Sequence, residues 1–205
     1  MLFRSPAIVE YGGVTIGIIG ATDNEPGWAA GPDTPGTNYF SVDNPSHLLG
    51  DIKKLRPDVD ILIVTLQWGP NKRQRPTQEY IQAAHAIIDA GADTIHGHSA
   101  HIFQGIEVYG GKLILYDTGD FVDDYAVCPD LRNDQSFLFV VHADKQGVRT
   151  LELLPTRIAN MQVNLADPDE ARQIVSRMQR LSEEMGTDIL ASDDGTRAYV
   201  EIANR

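Results

Sequence analysis

The chain has 205 residues, of which 42% are apolar and 22% are charged, and this composition is typical of a globular protein rather than a disordered one. Its 29 acidic residues outnumber its 17 basic residues, and the net charge of −12 disfavours binding to nucleic acid or to an anionic membrane surface. The one basic cluster, at residues 71–75, does not change this expectation, because a cluster of this size is typical of a solvated loop. The single cysteine, Cys128, excludes an internal disulfide and a cysteine-cluster zinc site.

The first half of the chain predicts short strands that alternate with helices. No apolar run approaches the roughly 18 residues of a membrane span, and the amino-terminal segment lacks the apolar region of a signal peptide. In chain order the predicted elements are a strand at 14–21, a surface loop at 23–37, a helix at 45–55, a strand at 60–69, a helix from Thr77 to Ala90 and a short strand at 93–96. Residues 60–96 form a βαβ-like unit, whose crossover favours parallel strands and places functional loops at their carboxyl ends.

The second half predicts mostly antiparallel strands and one helix. Gly110-Gly111 joins two apolar runs within 105–117 and predicts a hairpin. Further strands are predicted at 137–142, 148–154, 157–163 and 197–202. The helix begins after Asp167, which suits an N-cap, and ends at Gly186.

Three histidines, His96, His98 and His101, lie within six positions on a glycine-containing turn. A tight turn lets several imidazole nitrogens converge within the roughly 2.0–2.2 Å of one ion that zinc sites show. By spacing alone, hydrogen-bonded loop histidines are an equally good interpretation, because histidines at strand ends commonly bond backbone groups.

Four aspartates follow the turn. Asp117 and Asp120 are open candidates, either as ligands of a divalent cation or as acceptors that orient a ligating histidine. We expect Asp123 and Asp124 to be solvated, because adjacent carboxylates do not easily face one site. Cys128 has no histidine partner nearby in the sequence, so a nucleophilic role is not indicated.

The segments "LQWGPN" and "IDAGADTIHGHSAHIFQGIEVYGGKLILYDTGDFVDDY" together resemble the CapA family of bacterial capsule or poly-γ-glutamate synthesis proteins. The resemblance covers about residues 7–160 and is strongest at 60–125. We expect residues 1–205 to form one partial domain of this kind, with the helix and strand at 167–202 as a carboxyl-terminal extension.

The resemblance implies an α/β fold, a layered sandwich similar to calcineurin-like metallophosphoesterases, with a metal centre collected from several strand ends. It implies a divalent metal (Mn, Zn or Fe) held by His98, His101 and Gln67. His98, His101 and Asp120 would be catalytic, and Gln67, Trp68 and Asn71 would contact the substrate. The implied substrate is an anionic polymer or a phosphoester, with other envelope biosynthesis proteins as partners and association with the cell envelope.

Two departures from the family pattern bear on activity. Gln67 stands where the family usually has histidine, and an amide oxygen is a poorer ligand than imidazole for zinc-like ions. The family's amino-terminal half, with its Gly-Asp start and its Asn-His loop, finds no counterpart here, so we expect the carboxyl-terminal portion of the domain. Two hypotheses stay open, a metal-dependent hydrolase or transferase and a non-catalytic scaffold with a degenerate metal site.

Overall fold

The computed structural model describes residues 5–123 and 127–202. Its strands are β1 (Ala7–Tyr11), β2 (Val14–Thr22), β3 (Ile61–Gln67), β4 (Thr94–His98), β5 (Ile106–Tyr109), β6 (Lys112–Leu115), β7 (Gln135–Asp144), β8 (Gly147–Ala159), β9 (Gln162–Leu165), β10 (Leu190–Ala191) and β11 (Ala198–Glu201). Its α-helices are α1 (Ser46–Leu55), α2 (Gln78–Asp89) and α3 (Pro168–Glu183). None of the helices in the described part of the chain has the length and apolar character needed to cross a membrane.

The first sheet has six strands in the order β1-β2-β3-β4-β6-β5. Strands β2, β3, β4 and β6 are parallel, while β1 and β5 pair antiparallel at the two edges. The parallel pairing of β3 and β4 around α2 confirms the predicted βαβ unit. Parallel strands end at a common edge, so the loops after β2, β3 and β4 are neighbours.

One face of this sheet is covered by α1 and α2. Alternate residues of β3 point to that face, and Leu62, Val64 and Leu66 are fully buried there against Ile52 of α1 and Ile87 of α2. The opposite face, which carries Ile18, Ile63 and His96, lines a mainly apolar groove of about 530 Å³ beside β7. The same face is covered by α3 farther along the sheet, because Leu113 and Leu115 of β6 lie in one buried cluster with Met178 of α3.

The second sheet has the order β10-β11-β8-β7, with β9 also paired to β8. Helix α3 packs on it and forms a second core, built from Ile174 and Met178 of the helix and Leu151, Leu153 and Val200 of the strands. The Asp167 carboxylate accepts from the backbone N–H of Glu170 at 2.9 Å, as expected for the N-cap of this helix. The result is an α/β architecture of sheets and helices in layers, as predicted.

Two predicted elements differ in their details. The strand predicted at 157–163 is interrupted at Asn160 and Met161, which turn with positive φ, so its first part extends β8 and its last part belongs to β9. Helix α1 begins at Ser46 rather than Pro45, one residue later than predicted, and the Asn44 side-chain oxygen accepts from the Ser46 hydroxyl at 2.6 Å and from its N–H at 3.4 Å.

Candidate functional site

The carboxyl ends of β2, β3 and β4 border a polar cavity of about 500 Å³. Gln67 pairs in register with Thr22 on one side and with His98 on the other, so the ends of the three strands are aligned. The described residues that line the cavity are Asn24, Glu25, Gln67, Gly69, Pro70, Asn71, His98, Ser99, His101, Gly119, Asp120, Phe121, Val122 and Asp123. The structure thus brings Gln67, Asn71, His98, His101 and Asp120 to one cavity.

The turn that carries His101 has an unusual backbone. Ser99 has a φ of 141° and His101 a φ of 62°, conformations that residues with a side chain rarely adopt. Such strain costs of order 1–3 kcal/mol per residue, and it persists only where surrounding contacts enforce it. Here the Ser99 hydroxyl donates to the carbonyl of Gly69 at 3.0 Å, and the carbonyl of Ala100 accepts from the N–H of Lys72 at 2.8 Å.

The His101 ring is oriented by a carboxylate from the loop after β6. Its Nδ1 lies 2.8 Å from Oδ1 of Asp120, and Oδ2 of Asp120 accepts from the side-chain amide of Asn133 at 3.2 Å. A carboxyl oxygen of Asp123 lies 4.0 Å from the same Nδ1. Asp120, predicted as an orienting acceptor, therefore contacts His101 directly and is itself held in place from the far side.

Three side chains offer ligand atoms within 4.8 Å of one another: His101, Asp120 and Asp123. In addition, Oδ1 of Asp123 is buried and has no hydrogen-bond partner in the described structure. One imidazole with two carboxylates is a donor set that suits Mn, Zn or Fe. These residues fit a divalent cation, which His101, Asp120 and Asp123 would hold and which would give the unpaired oxygen of Asp123 a partner.

This group differs from the ligand set that the resemblance implied. His98 lines the cavity but lies outside the three-residue group, and Oε1 of Gln67 accepts from the Thr22 hydroxyl at 3.1 Å. The expectation that Asp123 is solvated was wrong, since its side chain is only 23% exposed and faces His101. Asp124 lies outside the described residues.

Burial lowers the pKa of His98, so at neutral pH its ring is an uncharged imidazole able to accept a proton or a cation. Burial, and to a smaller extent the neighbouring His98, also lowers the pKa of His96. Both ring nitrogens of His96 face hydroxyls, with Thr65 at 3.0 Å and Thr118 at 3.3 Å. His96 is therefore a hydrogen-bonded histidine of the sheet face, and only His98 and His101 reach the cavity.

Trp68 does not line the cavity, which corrects its assignment as a substrate contact. It is fully buried, and its indole N–H donates to the carbonyl of Tyr116 at 2.8 Å. Side chains alternate across a strand, so the residue after Gln67 points into the core beneath the helices. Trp68 supports the site from below rather than touching a ligand.

Several residues of the site were missed by the sequence analysis. Both carboxyl oxygens of Asp23 accept from the N–H of Gly69, at 3.0 and 3.1 Å, and the Tyr80 hydroxyl donates to Asp23 at 2.7 Å. Asn24 donates to the Ser99 hydroxyl at 3.3 Å. The available signal was position, because Asp23 and Asn24 directly follow β2 and so lie at the same sheet edge as Gln67 and His98.

The cavity is acidic. Among the described residues that line it, three carry a carboxylate, namely Glu25, Asp120 and Asp123, and none is a lysine or an arginine. The resulting negative potential favours cations and repels anionic groups, unless a bound cation reverses the local charge.

Comparisons with known proteins were made on sequence and on structure. The family described as bacterial capsule synthesis protein PGA_cap matches residues 3–125. A probable polyglutamine synthesis accessory protein of Mycobacterium tuberculosis is 30% identical over 98% of this chain and 57% of its own length. The PGA biosynthesis protein CapA of Bacillus subtilis is 36% identical over 73% of this chain and 38% of its own length.

The chain therefore spans little more than half the length of the mycobacterial relative and less than half the length of the Bacillus subtilis relative. A solved structure of a hypothetical protein from Thermus thermophilus aligns with a TM-score of 0.42 and 12% identity, over 78% of this chain and 58% of that one.

Proposed function

Because the chain belongs to the PGA_cap family of bacterial capsule synthesis proteins, we propose that it acts in the synthesis of an anionic envelope polymer such as poly-γ-glutamate. The relatives named as a PGA biosynthesis protein and as a polyglutamine synthesis accessory protein support this role. We propose further that the polar cavity binds a divalent cation, Mn, Zn or Fe, and uses it to hydrolyse or transfer a bond of that polymer or of a phosphoester precursor.

The observation that carries the proposal is the group formed by His101, Asp120 and Asp123. Their ligand atoms are within 4.8 Å of one another, and one carboxyl oxygen of Asp123 is buried without a partner. Burying an unpaired carboxylate oxygen is unfavourable, because it gives up water without a replacement. A cation at this point would remove that cost.

The charge of the cavity supports the same proposal. An anionic polymer segment that entered the cavity would meet three carboxylates. The described lining residues include no lysine or arginine that could offset this repulsion. Like charges brought together at an interface cost several kcal/mol by general estimates. A divalent cation held by His101 and the two aspartates would make the cavity able to receive an anionic group.

The other residues of the cavity have matching roles in this proposal. A bound divalent cation lowers the pKa of its water toward about 7 and stabilises negative charge on the reacting oxygens. His98, kept neutral by burial, accepts the proton that the attacking group releases. Gln67 and Asn71 donate amide hydrogens to polar groups of the substrate.

Calorimetric titration with MnCl₂ and ZnCl₂ tests the cation site. The wild-type protein should bind one cation, and Asp123→Asn should weaken binding by about 10–100-fold because the anionic ligand is lost. Asp188→Asn is the matched control, since it removes the same charge from an exposed position in another part of the fold, and it should bind as the wild type does. Equal affinity for both variants would contradict the proposed ligand set.

A second candidate function is a binding or scaffolding role without catalysis. It is favoured by Gln67, whose amide oxygen already accepts a hydrogen bond from Thr22 and is a weak ligand for zinc-like ions. Failure of the wild type to bind Mn, Zn or Fe, together with failure of Gln67→His to restore binding, would support the scaffold and contradict metal-dependent catalysis.

A further inference from the structure

We propose that Asp117 is a positioning residue that holds together the two loops of the site, the turn carrying His101 and the loop carrying Asp120. This inference rests on the proposed function, because it concerns the same cation-binding residues. Asp117 itself does not line the cavity, and it is not one of the three residues that offer ligand atoms.

The contacts of the carboxylate reach both loops at once. Oδ2 of Asp117 accepts from the N–H of Ala100 at 2.7 Å, and Oδ1 accepts from the N–H of Gly119 at 2.9 Å. Ala100 directly precedes His101, and Gly119 directly precedes Asp120. One side chain thus fixes the residue adjacent to each member of the His101–Asp120 pair.

The backbone next to the Ala100 contact is of a kind that surrounding contacts must hold, whereas a glycine such as Gly119 adopts a positive φ freely. His101 has a φ of 62° and Gly119 a φ of 73°. A Cβ added to Gly119 would lie 2.9 Å from the backbone N of Phe103, so the two loops are also packed tightly against each other. The hydrogen bonds of Asp117 hold this close approach, which in turn sets the distance between Nδ1 of His101 and Asp120.

The position of Asp117 is unfavourable for a carboxylate, and its two hydrogen bonds offset the cost of burying it. The residue is 3% exposed, and no Lys, Arg or His of the described structure forms an ion pair with it. Arg73 supplies favourable charge from farther away. An asparagine of the same shape has one acceptor oxygen, so it would turn an N–H₂ group toward one of the two backbone donors.

The test compares Asp117→Asn with Asp93→Asn. Asp93 is also buried, and it also accepts from a backbone N–H, that of Leu62 at 2.8 Å, but it lies at the opposite end of β4 from the site. Both substitutions are expected to lower stability, so stability alone does not decide. Two further measurements do: the affinity for Mn²⁺ by calorimetry, and the nitrogen and proton signals of the His101 ring in the metal-free protein by NMR.

Asp117→Asn should weaken Mn²⁺ binding about tenfold or more, as expected when a supporting partner of a ligand is lost. It should also shift the His101 ring signals, whereas Asp93→Asn should leave both measurements near those of the wild type. Wild-type affinity and unshifted ring signals in Asp117→Asn would overturn the inference.

The two proposals fail separately. A wild-type protein that binds no Mn²⁺ overturns the cation site, and the His101 ring signals in the metal-free variants still decide the role of Asp117. If Asp117→Asn does not fold, Asp117→Ser, which keeps one hydroxyl acceptor, is measured in the same two ways.

Discussion

Replacing Trp68 by phenylalanine should destabilise the fold while leaving the cavity intact. The indole N–H donates to the carbonyl of Tyr116 at 2.8 Å, and the ring meets Tyr80 edge-on at a centroid distance of 5.3 Å. Loss of the hydrogen bond leaves a buried carbonyl unpaired, which costs about 1–3 kcal/mol. Loss of the aromatic geometry and of ring volume adds about 1 kcal/mol or more. We expect the free energy of unfolding to fall by about 2–4 kcal/mol.

Urea unfolding followed by circular dichroism measures this change, and calorimetric titration with Mn²⁺ at a temperature where both proteins are folded measures the site. Trp68→Phe should bind the cation within about threefold of the wild type. Asn71→Ala, at an exposed position on the cavity, is the contrasting variant, with little expected change in stability. A stable Trp68→Phe protein that has lost ligand binding would refute the assignment of Trp68 to the core.

Two other predictions concern stability. Burial raises the pKa of Asp117 from 3.8 to about 6, so the stability contributed by its bound proton is fully present below about pH 4 and is lost as the pH rises through 6. The difference in unfolding free energy between wild type and Asp117→Asn should therefore fall by about 3 kcal/mol between about pH 4 and pH 7, and a pH-independent difference would contradict the raised pKa. Gly97→Ala should destabilise by about 1–3 kcal/mol or more because its Cβ would lie 2.1 Å from the carbonyl oxygen of Tyr116. Gly50→Ala in helix α1, where a new Cβ would meet no neighbouring group within 4 Å, should instead stabilise the fold by about 0.5–1 kcal/mol. Thermal unfolding of both variants measures these effects. Similar changes in melting temperature for the two variants would argue against the close packing at Gly97.

The elements that the sequence predicted well are those with a strong local signal. The Gly110-Gly111 turn has positive φ at both residues and closes the hairpin of β5 and β6, and Asp167 caps α3 as its position indicated. The interruption of the strand at Asn160 and Met161 was missed because Asn160 is the only turn-forming residue there, and Met161 rarely adopts a positive φ. β1 was missed although Gly12 and Gly13, both with positive φ, join it to β2 in the same way; all five of its residues are exposed, so no buried face creates a pattern.

For the site, the sequence could predict a location more readily than a set of contacts. His98 and Gln67 were placed at one edge correctly, because parallel strands end together. The grouping of His101 with Asp120 and Asp123 depends on how two loops approach each other in space, and this approach is set by Asp117 and by backbone angles that periodicity does not encode. Trp68 was misassigned because an aromatic residue beside a site residue is indistinguishable in sequence from one that points into the core.

The two hydrogen bonds of Asp120 have a mechanical consequence. One joins it to His101, which follows a strand of the first sheet, and the other joins it to Asn133, which lies two residues before β7 of the second sheet. A displacement of one sheet relative to the other must either lengthen one of these hydrogen bonds or move the Asp120 carboxylate. Asp120 is thus a tether between the layers, and together with the Ser136 hydroxyl of β7, which donates to the carbonyl of Thr118 at 2.5 Å, it links a displacement of either sheet to the His101 ring.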